Sequence, residues 1–260
     1  MTDTLEIGST SPPVVLVTGA GAGIGLAIAR RFAQGGAAVA LLDRDGDAAA
    51  MAAMDLAALG VKTLGLAASV TDERAVDAAV EQAEATLGPI DVLVNNAGIA
   101  CNKPTLDLGL DDWRRAVDVN LTGGFICAQS CGRRMAARGR GTIVNIGSMY
   151  GTVAAPNRAG YCATKSAVDM LTRVLAVEWA PLGLRVNAVA PGYVRTALLE
   201  DLIDQGRVDA DALIARTPAR RFGTVEEVAE LTHFLASDAA SFINGQVVGL
   251  DGGWTANGYL

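Results

Sequence analysis

Val14-Val15-Leu16-Val17-Thr18-Gly19-Ala20-Gly21-Ala22-Gly23-Ile24-Gly25 is the stretch that decides the fold. Its first four residues are apolar with no polar alternation, the pattern of a short strand buried on both faces. Glycines begin directly after it. From Ile24 to Gln34 apolar residues recur at helical spacing, with Arg30 and Arg31 turned outward. The segment therefore reads strand, glycine turn, helix. Such a turn aims the free N–H groups of the helix start at whatever lies above the strand, and glycine lets the backbone approach it closely.

The same alternation continues outward. Gly35-Gly36 stops the first helix, and Ala37 to Leu42 forms a second buried strand ending at Asp43. The spacing predicts helices over about 46–59, 72–87, 111–137, 160–180 and 224–236. Strands are predicted over 61–67, 90–94, 142–146, 184–189 and 246–250. Strands separated by helices of this length pair in parallel through right-handed crossovers. No linker, repeat or low-complexity stretch interrupts them. Residues 13–260 thus read as one α/β domain behind a polar tail at 1–12. The segment 192–222 breaks the rhythm, with weak periodicity and stops at Gly206 and Pro218, and is expected to be an irregular insertion serving as a substrate lid.

Composition excludes several classes of function. The longest mainly apolar run, Val14 to Ala29, is interrupted by Thr18 and four glycines, whereas a membrane span needs roughly 20 apolar residues with few breaks. With 21 basic against 28 acidic residues the formal charge is −7, which speaks against nucleic acid or anionic lipid as a main partner. Cys101, Cys127, Cys131 and Cys162 form no CxxC, and Met-Thr-Asp-Thr-Leu-Glu at the start lacks the regions of a secretion signal. A cytoplasmic location is expected. Cys127 and Cys131 stand i, i+4 with no third ligand and read as packing residues, so no metal is expected. His233, the only histidine, reads as structural.

Gly19, Gly23 and Gly25 are spaced one residue wider than the usual dinucleotide fingerprint. Their place between strand and helix, with an acid ending the next strand, is that of a pyrophosphate cradle. Asp43 follows Gly25 by 18 residues. A carboxylate there accepts the ribose hydroxyls of an adenosine half and repels a 2′-phosphate, which favours NAD over NADP. Arg44 is the one neighbour able to serve a 2′-phosphate instead.

Three further residues carry chemistry. Ser148 follows the fifth strand, and Tyr161 and Lys165 share one face at the start of the next helix, at the edge of a parallel sheet where ligands bind. A phenol, with an unperturbed pKa of about 10, is a poor base near neutrality, and a neighbouring ammonium favours its phenolate. A hydroxyl such as that of Ser148 can hold a substrate oxygen while Tyr161 moves the proton.

With these residues in place, the chain resembles the short-chain dehydrogenase/reductase family over about residues 12–254. The likeness is carried by Thr18-Gly-Ala-Gly-Ala-Gly-Ile-Gly25, Asn95-Asn-Ala-Gly98, Asn120, Ser148, Tyr161-Cys-Ala-Thr-Lys165, Pro191-Gly192 and Asp251-Gly-Gly253. The resemblance implies a Rossmann fold whose seven-stranded parallel sheet has order 3-2-1-4-5-6-7, with helices on both faces. It implies a Ser148, Tyr161, Lys165 and Asn120 tetrad. Tyr161 would be the acid/base and Ser148 the donor to the substrate oxygen. Lys165 would hold the nicotinamide ribose, and Asn120 would position a water leading to Lys165. Gly19, Ile24, Asn96, Gly98, Val194 and Thr196 match cofactor-contact positions. Ser69-Val70 stands where many relatives carry Asp-Val or Asn-Val, with the serine hydroxyl meeting the adenine amino group.

The expected substrate pocket includes Ser148, Tyr150, Asn157 and Tyr193. The sequences around Ser148 and Tyr193 look like those of bacterial polyol and sugar-alcohol dehydrogenases. Reduction of a 3-oxoacyl thioester is the alternative; it usually goes with NADPH and a basic surface, and Asp43 and the net charge oppose it. A non-catalytic nucleotide sensor would have lost Tyr161 or Lys165. The helices at 111–137 and 160–180 are those that form a subunit interface in the family. Trp113, Cys127, Met135 and Trp179 are expected on their outer face. With Asp251 to Leu260 as a second contact, a homotetramer is expected.

Overall fold

β1 (Val14–Thr18) is buried at every position, and the rest of the molecule is assembled around it. The computed structural model describes residues 12–258, so the expected polar tail lies, apart from Pro12, outside the described residues. Six strands follow: β2 (Ala38–Asp43), β3 (Thr63–Ala67), β4 (Ile90–Asn95), β5 (Gly141–Ile146), β6 (Leu184–Pro191) and β7 (Val247–Leu250). They form one sheet in the order β3-β2-β1-β4-β5-β6-β7, with every pairing parallel.

The two-residue period of a strand divides its side chains between the sheet faces. Val15, Val17, Val39, Leu41, Val92 and Val94 pack on one face with residues of α1 (Gly23–Gln34), α2 (Gly46–Ala57) and α9 (Val225–Ala236). Leu16, Ala40, Leu42, Leu93 and Ile143 pack on the other with α3 (Glu73–Leu87), α5 (Gly123–Arg138) and α6 (Ala159–Trp179). The crossovers leave β1 and β4 toward opposite edges, which opens a cleft at the C-terminal ends of these two strands.

Local capping chemistry explains most helix starts. Asp45 accepts from Ala48 N–H, and Asp72 from Ala75 N–H. Thr224 and Glu227 form a reciprocal capping box. α1 lacks such chemistry, as α5 and α6 do: Ala22 offers no side-chain cap, and its first turn carries no acid.

Three expectations change. The helix expected over 111–137 is divided into α4 (Leu110–Val117), a π-helical turn at Asp118–Thr122, and α5. The wider turn directs Asn120 into the protein, where two other elements satisfy its amide, a gain no local pattern encodes. The irregular segment 192–222 contains α7 (Ala197–Asp204) and α8 (Ala210–Arg216). Their N-caps are Thr196, which accepts from Leu199 N–H, and Asp209, which accepts from Ala212 N–H. Both helices are too short for periodicity to stand out. Finally, Cys127 and Met135 do not face outward: both are fully buried under the sheet with Leu93 and Ile143.

Candidate active site

The glycine turn is shaped by β4 as much as by its own residues. Thr18 Oγ1 accepts from Asn96 N–H (3.0 Å) and Ala97 N–H (3.1 Å). The Asn96 amide donates back to the carbonyls of Thr18 (2.9 Å) and Gly19 (3.0 Å). Gly19 has φ of +63° and Gly23 φ of +57°, where a side chain is strained. At Gly25 a Cβ would strike the Gly19 carbonyl oxygen. Space above Gly23 is open, since a Cβ there meets nothing within 4 Å.

This cradle fits a pyrophosphate. An anion placed against α1 meets N–H groups that no side chain caps, in a first turn that carries no acid of its own. Asp43 stands at its lip, with Oδ2 accepting from Gly21 N–H (2.9 Å) and Oδ1 from Asp45 N–H (3.0 Å). Arg44 beside it is exposed. Val70 is buried, while the Ser69 hydroxyl is exposed and paired with Thr71 Oγ1 at 2.8 Å. Val194 bridges to Gly223, and Thr196 caps α7.

On the β4, β5 and α6 side, the other residues converge. Ser148 is buried just beyond β5 and accepts from Tyr150 N–H through Oγ (3.1 Å). Lys165 is 5% exposed, and its ammonium donates to the Ile146 carbonyl (2.7 Å) while lying 5.7 Å from the centre of the Tyr161 ring. Asn120 donates to Ile99 O (3.0 Å) and Thr164 Oγ1 (3.2 Å) and accepts from Ile99 N–H (2.7 Å). A small cleft reaches beneath Lys165, lined by Thr18, Asn95, Asn120 and Asn145 together with apolar Val70, Leu121, Val168 and Leu171. Gly98 faces it: a Cβ there would lie 3.4 Å from Asn120 Oδ1 and 3.7 Å from Lys165 Nζ.

Three tyrosines wall the space above. Tyr150 stands edge-on to Tyr161, with ring centres 6.5 Å apart, and its hydroxyl is 2.8 Å from that of Tyr193. Burial, then the Tyr193 hydrogen bond, pushes the Tyr150 phenol well above its ordinary range. It is therefore a neutral wall residue and a poor proton acceptor. Tyr193 in turn packs against Trp254, ring centres 5.3 Å apart. Asn157 is exposed at φ of +62°, on the loop leading into α6.

Two residues here escape sequence reasoning. Asp169 follows Lys165 by one turn and is buried against Gly147 and Gly151 on either side of the Ser148 turn. Burial raises its carboxyl to about 6, opposed by the positive charges of Arg173 and Lys165. An acid four residues after Lys165 was the available signal. Arg158, the residue preceding α6, lies over the Tyr150 ring, and no motif marks it.

The tempting cysteines are inert. Burial pushes the Cys127 thiol up to about 12 and raises that of Cys131 as well. Among the described residues no group of three His, Cys, Asp or Glu side chains is arranged to hold a metal ion. His233 is buried beside Phe32, ring centres 5.3 Å apart, and far from these groups in the fold. Among the described residues no helix is long and apolar enough to cross a membrane.

Parallel sheet, uncapped glycine turn and a buried lysine beneath a tyrosine define a dinucleotide-fold oxidoreductase. Residues 19–255 match the family model described as "Enoyl-(Acyl carrier protein) reductase". The chain is 45% identical to cis-4-hydroxycyclohexanecarboxylate dehydrogenase of Sinomonas cyclohexanicum, over 94% of this chain and 96% of that protein. It is 44% identical to the L-tagatose-forming galactitol 2-dehydrogenase of Cereibacter sphaeroides, over 92% and 93% respectively. The crystal structure of a gluconate 5-dehydrogenase from Burkholderia cenocepacia J2315, in complex with NADP and tartrate, superposes with a TM-score of 0.91 at 41% identity, covering 98% of both chains. The chain belongs to the short-chain dehydrogenase/reductase family. It is an enzyme that interconverts alcohols and ketones.

Proposed function

We propose that the enzyme uses NAD to oxidise a secondary carbinol of a polyol or sugar-alcohol type substrate, and reduces the corresponding ketone in reverse. The observation that carries this reading is the Lys165 ammonium, fixed on the Ile146 carbonyl beneath the Tyr161 ring, at the cleft that the glycine turn opens. Bound NAD would supply the hydride acceptor. Gly19, Gly23, Ile24 and Gly25 would hold its pyrophosphate, and Asp43 its adenosine ribose. Ser69 and Val70 would flank the adenine. Asn96, Gly98, Val194 and Thr196 would border the nicotinamide half, whose ribose Lys165 would bind.

Ser148 would donate to the substrate oxygen while Tyr161 takes the carbinol proton. Asn120 and the polar groups of the cleft, Thr18, Asn95 and Asn145, would connect Lys165 to solvent through water. Tyr150, Asn157 and Tyr193 would contact the rest of the substrate, and residues 192–222 would close over it. Purified enzyme with NAD should form NADH with members of a panel of polyols and other secondary alcohols. NADH formation on none of them, or turnover on hydroxyacyl thioesters alone, would overturn the assignment.

We also propose a homotetramer in the cytoplasm. Its support is the set of exposed apolar residues Trp113, Phe125, Met170, Val174 and Val177 on α4, α5 and α6, residues of the kind that helix–helix interfaces between subunits cover. Sedimentation equilibrium at micromolar concentration should give four times the chain mass. A monomer would defeat the proposal, and a dimer would remove only the contact made by the C-terminal stretch.

A further inference from the structure

The residue that precedes α6 has the wrong charge for its place. A helix N-terminus carries partial positive charge and favours Asp, Asn, Ser or Thr at its cap. α6, 21 residues long, begins instead behind Arg158, with no side-chain cap and no acid in its first turn. Among the described residues Arg158 makes no ion pair, and its one side-chain hydrogen bond is from Nη1 to the neutral Asn102 amide oxygen at 3.2 Å.

Its position is nevertheless defined. The guanidinium carbon lies 5.0 Å from the centre of the Tyr150 ring, a cation–π contact that seats the group on the ring without using its N–H donors. Tyr150 is the plate that also stands edge-on to Tyr161. Arg158 and Tyr161 therefore both lie against the Tyr150 ring, the guanidinium 5.0 Å and the Tyr161 ring 6.5 Å from its centre. The same wall presents a proton carrier and, across the Tyr150 ring, a guanidinium with no ion pair among the described residues.

We propose that Arg158, seated on Tyr150 and lacking an acidic partner among the described residues, is a specificity-determining residue that binds a carboxylate on the substrate, so that the preferred substrates are hydroxy acids with the reacting carbinol several bonds from the carboxyl group. The inference deepens the proposed function and rests on it. An arginine fork matches a carboxylate with two parallel hydrogen bonds. The uncapped start of α6 adds attraction of the same sign. A chain of net charge −7 otherwise repels anions, so an anionic substrate requires a local cation of this kind.

The test compares gluconate with glucitol, a pair that shares the polyol chain and differs at the terminal carboxylate. Wild-type enzyme with NAD should favour gluconate in kcat/KM by about 10-fold or more, chiefly through KM. Arg158→Met should reduce the ratio of gluconate to glucitol by about 10- to 100-fold, the value of a charged hydrogen-bonded contact. Arg158→Lys, which keeps charge and loses the fork, should fall between. A wild-type preference for glucitol, or the same ratio in Arg158→Met, would overturn the inference while leaving NAD-dependent oxidation standing. Calorimetric titration of gluconate into the NADH complex is read independently of turnover, and Arg158→Met should weaken it to the same degree. Equal affinity in both proteins would overturn the carboxylate site even if neither compound were oxidised. Failure of all NAD-dependent turnover with Arg158-dependent gluconate binding retained would instead count against the proposed function.

Discussion

Tyr161→Phe is expected to lower kcat by about 10²- to 10⁴-fold, the usual contribution of a positioned proton carrier, while NADH still binds. The substitution keeps the ring, and with it the packing above Lys165 and against Tyr150, so the loss reports on the hydroxyl alone. Two neighbours are poor substitutes for it. Tyr150 is buried, and its phenol is pushed well above its ordinary range, so it does not accept a proton near neutrality. Ser148 accepts a backbone hydrogen bond from Tyr150, which leaves its hydroxyl hydrogen free for a substrate oxygen but supplies no base. Steady-state turnover of the best panel substrate, with NADH binding followed by fluorescence, makes the measurement. Turnover above about a tenth of wild type would assign the proton to another group.

Asp43→Ala is expected to shift the ratio of kcat/KM for NAD over NADP by about 10²-fold toward NADP. Like charges brought together at a binding site cost several kcal/mol, and each 1.4 kcal/mol is about tenfold. Wild-type Asp43 is held in place at both oxygens, by Gly21 N–H and Asp45 N–H, so it cannot swing away from a 2′-phosphate without breaking those bonds. Removing it leaves the exposed Arg44 beside the site as a cation able to meet a 2′-phosphate. The same bonds brace the glycine turn, so NAD affinity should also fall; Asp43→Asn, which keeps one acceptor and loses the charge, separates the two effects. Comparable kcat/KM for NAD and NADP in the wild-type enzyme would sink the cofactor assignment.

Much of this molecule was legible without coordinates, because the relevant information is local. An apolar, β-branched run ending in glycines reads as a strand and turn wherever it occurs, and β1 and α1 lie where that reading puts them. Asp43 ends β2, and Tyr161 and Lys165 share a face of α6, since spacing within one element is set by its own period. Strand order itself is not a local property. It was reached through the likeness of several motifs to a family, and the sheet has that order.

What the tertiary structure decided is everything that depends on one element meeting another. The π-helical turn exists because Ile99 and Thr164 satisfy the Asn120 amide, and no pattern within 111–137 announces those partners. Cys127 and Met135 lie on the buried stripe because α5 lies over Leu93 and Ile143; an apolar helix with small residues on more than one side does not reveal which side the sheet takes. Asp169 is buried only because Gly147 and Gly151 make room for its carboxylate. Arg158 precedes α6 as an ordinary surface arginine would, and it comes to lie over an aromatic ring because the chain after Ser148 folds Tyr150 beneath it. Sequence period assigns a residue to a face of its own element, whereas the chemistry of the facing surface, on which burial, charge and specificity depend, is contributed by residues remote in the chain.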